Sequence, residues 1–276
     1  MIPSAFEYVR AESFAHALEL LNEHGDSAKL LAGGHSLLPL MKLRLATPDV
    51  LVDIGRLSEL SYVRDGGDHL AIGALTSHDE LSRSPLVAAE LPVLAHVAGQ
   101  IGDPQVRHRG TIGGSIAHGD AASDLPALVL ALGGTLMMSG PGETRAVEAS
   151  KFHLGFLETA LAPDEILTEI RLPKMGASGW GFEKLTKRAQ DWAIVGAVAV
   201  KLNGGPSVGV SLINIGSVPV RASAVEAAVS EGAPAADAAS LADSGLDVVG
   251  DANASESFRR HLSRVLVRRA LTQALA

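Results

Sequence analysis

The sequence predicts an α+β protein of more than one domain, and three observations lead there. The chain has 276 residues, more than one typical domain needs. Short apolar runs of strand length alternate with segments of helical periodicity, and no internal repeat orders them. Pro173 and the run Met175-Gly176-Ala177-Ser178-Gly179 form a boundary, beyond which three strands and a closing helix are expected.

In chain order, Ser13 to His24 reads as a helix, with Phe14, Ala17, Leu18 and Leu21 at helical spacing and Gly25 to close it. Lys29 to Ala32 reads as a buried strand running into Gly33-Gly34. Leu37 to Leu43 reads as a short helix with proline in its first turn, and Val50 to Ile54 as another strand ending at Gly55. These elements make a βαβ-like opening unit, residues 1–57. The middle unit, 58–174, starts with strands at Tyr62-Val63 and His69 to Ala74 around the turn Asp65-Gly66-Gly67-Asp68. Helices are expected near Ser77 to Ser82, over Leu86 to Ile101 and over Leu125 to Leu132, and strands near Thr135 to Met138 and Ile166 to Leu172. The last unit, 175–276, has three antiparallel strands at Gly181 to Leu185, Val195 to Leu202 and Ser207 to Ile215, the last two joined by a turn at Gly204-Gly205-Pro206. Ala222 to Gly245 reads as one helix and a loose connection. Ser257 to Leu275 reads as an amphipathic helix, its arginines on a solvated face or, as the second reading, at a subunit contact.

Composition narrows the function classes. Hydrophobic residues make up 47% and charged residues 20%, which is ordinary for a globular protein with a large core. With two Trp, two Tyr and six Phe, that core is mainly aliphatic. A net charge of −8 argues against nucleic acid as the main partner. Cysteine is absent, which excludes disulfides, a thiolate nucleophile, Cys-ligated zinc and an iron–sulfur cluster held by this chain's thiolates. No segment has the layout of a signal peptide, and the apolar stretch Ile194 to Val200 is too short for a bilayer. A soluble, cytoplasmic protein is expected.

Two glycine pairs carry the chemistry. Ala32-Gly33-Gly34-His35-Ser36 and Thr111-Ile112-Gly113-Gly114-Ser115 each follow a run that reads as a strand, and neither has GxGxxG spacing. Glycine lets the main chain approach a bulky anion, and successive N–H groups in such turns form a concave donor nest for phosphate oxygens. Two nests suggest one dinucleotide diphosphate gripped from both sides, although Gly33-Gly34 alone also reads as a tight turn. Ser36 is placed to cap the following helix. His35 reads as a packing residue or as a ligand. Asp124 reads either as a helix cap or as an acceptor for ribose or ribityl hydroxyls, with Asp120 and Ser123 as weaker candidates. Arg107-His108-Arg109 reads as a solvated loop or as charge support for a diphosphate. The histidines are scattered without metal-ligand spacing, and no GxSxG elbow or P-loop lysine occurs.

The segment Ala32-Gly33-Gly34-His35-Ser36-Leu37-Leu38-Pro39-Leu40-Met41-Lys42-Leu43-Arg44 resembles the first FAD-binding signature of the medium subunits of molybdenum hydroxylases, the carbon monoxide dehydrogenase and xanthine dehydrogenase group. Thr111 to His118 and Asp124-Leu125-Pro126 resemble the second signature. Lys184 to Ala193 resembles a third block, and Arg259-Arg260-His261-Leu262 resembles the last helix, so the resemblance covers essentially the whole chain. It implies a two-part FAD domain of the vanillyl-alcohol-oxidase and p-cresol-methylhydroxylase type, subdomains 1–57 and 58–174, and a smaller C-terminal α+β domain, 175–276. Matched by position, Ala32 to Leu37 and Thr111, Ile112, Gly113, Gly114 and Ser115 would hold the diphosphate of non-covalent FAD, and Asp124 the hydroxyls of its chain. Ile101 would pack near the cofactor, Leu167 near its far end, Lys184 near the flavin, and Trp192 close to the isoalloxazine or else in the core.

Two departures stand out: His35 replaces a common glutamine, and Gln190 replaces a usual glycine, which puts the path of that loop in question. The resemblance further implies no catalytic side chain here. It makes the chain the electron-transfer subunit of a dimer of heterotrimers whose large subunit carries the molybdenum cofactor and whose small subunit carries the 2Fe-2S clusters. A stand-alone flavin reductase of the same superfamily is the rival reading, and it would need its own substrate pocket and a proton donor beside flavin N5. A third reading, an assembly module that has lost FAD, conflicts with the intact glycine pairs.

Overall fold

A computed structural model of the chain describes residues 2–202 and 207–276. The expected turn at Gly204-Gly205-Pro206 lies outside them. The opening unit is a parallel sheet. Strand β1 (Glu7–Arg10) and strand β2 (Ala28–Leu31) both pair in parallel with β3 (Val50–Asp53), which lies between them. Helix α1 (Phe14–His24) starts where the Ser13 side chain accepts from the His16 amide and stops at Gly25, as its sequence predicts. Helix α2 (Leu37–Lys42) follows β2. The buried faces of α1 and β3 make a small core that also takes Leu75 and Ile166 from the next unit.

The middle unit holds β4 (Val63–Asp65), β5 (His69–Gly73), β6 (Thr135–Ser139), β7 (Thr144–Glu148), the hairpin β8 (His153–Gly155) and β9 (Glu158–Thr159), and the long β10 (Ile166–Pro173). Five of these form an antiparallel sheet in the order β4-β5-β10-β6-β7. Its helices are α3 (His78–Arg83), α4 (Pro85–Glu90), α5 (Pro92–Gly99), α6 (Pro104–Arg109), α7 (Ile112–His118) and α8 (Asp124–Ala131). The single helix expected over Leu86 to Ile101 is two, because Pro92 has no N–H and pushes Leu91 out of the helical region, to φ −140°.

The last unit is an antiparallel sheet of β11 (Trp180–Thr186), β12 (Ala193–Lys201), β13 (Val208–Ile213) and a short added edge strand β14 (Val220–Arg221). Helices α9 (Ser223–Ser230), α10 (Ala235–Ala239) and α11 (Glu256–Leu275) follow, so the stretch after Ala222 forms two helices. Both faces of this sheet are buried. Val195, Ala197 and Ala199 face one core with α11, while Val198 and Val200 join the core of the middle unit. All of α8 is buried in between, and the Ser211 hydroxyl donates to the Ala127 carbonyl at 2.6 Å. No helix among the described residues is long and apolar enough to cross a membrane.

The arginines of α11 are not all on a solvated face. Arg259 is 2% exposed, and its guanidinium donates to the carbonyls of Ile194 (3.0 Å) and Asn214 and to Asp251 (2.7 Å). A planar fork with several fixed donors suits such a three-way tie, which helical periodicity does not reveal. Arg259→Ala should cost about 2–4 kcal/mol, because two carbonyls and a carboxylate lose their donors together. The exposed Arg268 should lose no more than about 0.5 kcal/mol on replacement by alanine. Urea denaturation checks both, and equal midpoints would return Arg259 to the surface.

Candidate functional site

The first glycine pair lies in the loop from β2 to α2, at the carboxyl end of the parallel sheet. Gly34 has φ +80°, a conformation that side chains with a Cβ rarely adopt. Gly33 is required for a different reason: a methyl there would collide with the carbonyl oxygen of Arg109 and reach 3.0 Å from the Gly110 Cα. Among the described residues, no protein group accepts from the amides of Gly33, Gly34, His35, Ser36 and Leu37. Five successive donors without protein acceptors match a loop that binds an anion through its main chain. The expected Ser36 cap does not form. Its backbone is already helical (φ −99°, ψ −51°), whereas capping by the hydroxyl needs an extended residue. His35 is exposed.

The second pair is built differently from the expected nest. The run before it is helix α6, not a strand, because the Asp103 side chain accepts from the Val106 amide and Pro104 opens the first turn. The glycines themselves lie inside α7, which Thr111 caps through its hydroxyl. The loop's amides are consumed internally: Ile112 donates to Thr76 (3.0 Å), Gly113 to Ala74 (2.8 Å), Gly114 to the Thr111 hydroxyl (3.0 Å) and Ser115 to the Thr111 carbonyl (3.0 Å). Gly113 serves packing, since a methyl there would fall 2.5 Å from the Ala74 Cβ. The two loops nevertheless meet, as the Gly33 contact with Arg109 establishes.

Asp124 is the first residue of α8. Its side chain makes no cap bond; it turns instead to Lys184 of β11, whose Nζ lies 2.7 Å from Oδ2. The two side chains are 7% and 11% exposed. Lys184 also donates to the Gln100 carbonyl at 3.4 Å, beside Ile101, which packs half-buried against the middle core. The other carboxylate oxygen, Oδ1, is buried and has no partner among the described residues. Burial pushes the Asp124 carboxyl up, and the Lys184 ammonium pulls against it. A buried acceptor with an open valence, in a carboxylate fixed on its other side, is suited to a ligand hydroxyl.

The remaining candidates divide. Leu167 is buried in the middle core on β10. Trp192 is 58% exposed before β12, so it is not a core tryptophan. Gln190 adopts φ +72°, a left-handed backbone that glycine takes without steric cost. Arg107 belongs to a helix, not a loop, and donates to the carbonyls of Ile101 and Gly102 (3.2 and 2.9 Å). Arg109 and His108 line a cleft of about 600 Å3 with Ala32, Gly33 and Thr111. Sequence reasoning missed the Gln100 carbonyl and His78. His78 is 5% exposed, its ring lies against Gly110, and burial, aided by His35 and Arg107, lowers it to about 4. The one legible signal near it was the capping box of Ser77 and Glu80.

Residues 4–175 match the family described as "FAD binding domain in molybdopterin dehydrogenase", and residues 180–274 the "CO dehydrogenase flavoprotein C-terminal domain". The carbon monoxide dehydrogenase medium chain of Afipia carboxidovorans is 38% identical, covering 100% of this chain and 99% of its own length. The glyceraldehyde dehydrogenase medium chain of Sulfolobus acidocaldarius is 36% identical, covering 99% of each. Among solved structures, carbon monoxide dehydrogenase from Hydrogenophaga pseudoflava, in a form lacking the Mo-pyranopterin moiety, superposes with a TM-score of 0.95 at 42% identity, covering 100% of this chain and 99% of that one.

The Asp124–Lys184 pair makes a direct prediction. Lys184→Met strands a buried carboxylate and should cost about 3–5 kcal/mol near neutral pH, and adding Asp124→Leu should restore most of that. A double-mutant cycle by chemical denaturation reads the coupling, and additive effects would mean that the two groups do not interact.

Proposed function

The chain belongs to the family of FAD-binding medium subunits of molybdenum hydroxylases, and we propose that it is the electron-transfer subunit of such a complex. The bound isoalloxazine would supply the redox chemistry, accepting electrons from 2Fe-2S clusters and passing them to an external acceptor. The protein's part is to bind, orient and insulate that group. The fit is supported chiefly by the main chain of Gly33 to Leu37, whose amides have no protein acceptor among the described residues. They would donate to the pyrophosphate, with Ala32 at the start of the loop. Thr111, Ile112, Gly113, Gly114 and Ser115 would contribute the opposing wall by shape, and Ser115 a hydroxyl, since the amides of Ile112 to Ser115 are already engaged. Asp124 Oδ1 would accept from a hydroxyl of the FAD chain while Lys184 holds Oδ2. Ile101 and Leu167 would pack along the cofactor, and Trp192 would offer an exposed aromatic face toward the ring system.

Relatives named as medium chains of dehydrogenases support the presence of partner subunits; on this reading these are a large chain with the molybdenum cofactor and a small chain with 2Fe-2S clusters, in a dimer of heterotrimers. With no cysteine in the sequence, thiolate ligation of those clusters falls to the partners. The same reading places the complex in the cytoplasm. The purified chain should be yellow, with two flavin bands that denaturant releases, and should not hydroxylate substrate alone. Gly33→Ala should weaken FAD binding at least about tenfold, or 1.4 kcal/mol. A colourless chain that ignores added FAD would end this proposal, and substrate reduction by the isolated flavoprotein would favour the stand-alone reductase.

A further inference from the structure

Gly110 has an ordinary extended backbone (φ −62°, ψ 137°), so conformation does not explain a glycine there. Space does. A methyl on Gly110 would fall 2.8 Å from both Cδ2 and Nε2 of the His78 ring. The same segment also meets Gly33, which lies against the Arg109 carbonyl and the Gly110 Cα. Residues 109–110 therefore touch both an imidazole and the first glycine loop. The main chain fixes the same point, since the His78 amide donates to the Gly110 carbonyl at 3.0 Å and Ser77 bridges to Thr111.

We propose that His78 is a positioning residue for the cofactor site: its buried ring presses the Arg109–Gly110 segment onto Gly33 and thereby sets the spacing of the two glycine loops. This role rests on the reading of those loops as an FAD cradle. Nothing else in the family signatures or the predicted site assigns His78 a task. Its Nδ1 is buried without a partner among the described residues, so packing, more than a side-chain hydrogen bond, fixes the ring. Burial, the largest cause of the lowered His78 value, keeps the imidazole neutral near neutral pH.

Exchanging sizes across this contact tests the role. In the full-length chain, His78→Ala and Gly110→Ala should each weaken FAD binding about tenfold or more, read by flavin fluorescence quenching. The double variant should recover a substantial part of that loss, because the new methyl enters the volume that the imidazole leaves. Thermal unfolding of the apoproteins separates this from general destabilisation: the double variant should regain affinity even if its midpoint stays low. Strictly additive losses, or a His78→Ala chain that binds FAD like the wild type, would overturn the role. A wild-type chain that takes up no FAD would overturn the functional reading and this role with it.

Discussion

Main chain packs on main chain where the first glycine loop meets the segment that precedes the second. Gly33 faces the Arg109 carbonyl without room for a methyl, and the contact joins the parallel-sheet unit to the antiparallel one. Contacts between side chains can be repacked at modest cost, but a contact between backbones can only be kept or opened. The distance between the loops is consequently a property of the fold. Leu75 and Ile166, which the middle unit lends to the small core of the opening unit, hold the same seam from the apolar side.

The two loops do not share the work of binding an anion equally. An N–H already bonded to a carbonyl is a spent donor. The amides of Ile112 to Ser115 are spent on Thr76, Ala74 and Thr111, whereas those of Gly33 to Leu37 have no protein acceptor among the described residues. On the FAD reading, the first loop supplies donors and the second supplies a wall that its glycines allow to come close. The sequence pattern makes the two pairs look equivalent. Their hydrogen bonds show that they are not.

Where local signals agree with tertiary structure, the sequence was legible. Ser13 and Gly25 bound α1 as expected, and β2, α2 and β3 fall within a residue or two of their predicted limits. Helix α7 was not legible, because two adjacent glycines cost helix propensity of about 1 kcal/mol each. Burial of Ile112 and Ile116 and the fit of Gly113 on Ala74 override that cost. Strand β1 was missed for the opposite reason: Glu7–Arg10 is largely exposed and is held by backbone pairing to β3, which leaves no hydrophobic alternation to read. Asp124 and Lys184 were both singled out, yet their pairing across 60 positions could come only from the fold. The buried Arg259 and the exposed Trp192 each reverse what composition suggests, since residue type constrains burial weakly in either direction.

That buried pair also binds the C-terminal sheet to the site. Lys184 stands on β11, the strand that α11 covers from the far side, and it reaches across the seam to a carboxylate at the start of α8. One oxygen of Asp124 is thus committed to docking the domain, and the other stays open. If a cofactor hydroxyl takes the open oxygen, docking and cofactor binding draw on a single carboxylate. Linkage then makes the effect mutual: whatever the docked domain adds to cofactor affinity, the bound cofactor adds to domain docking. On the FAD reading, the loaded form is therefore also the form with its domains most firmly joined.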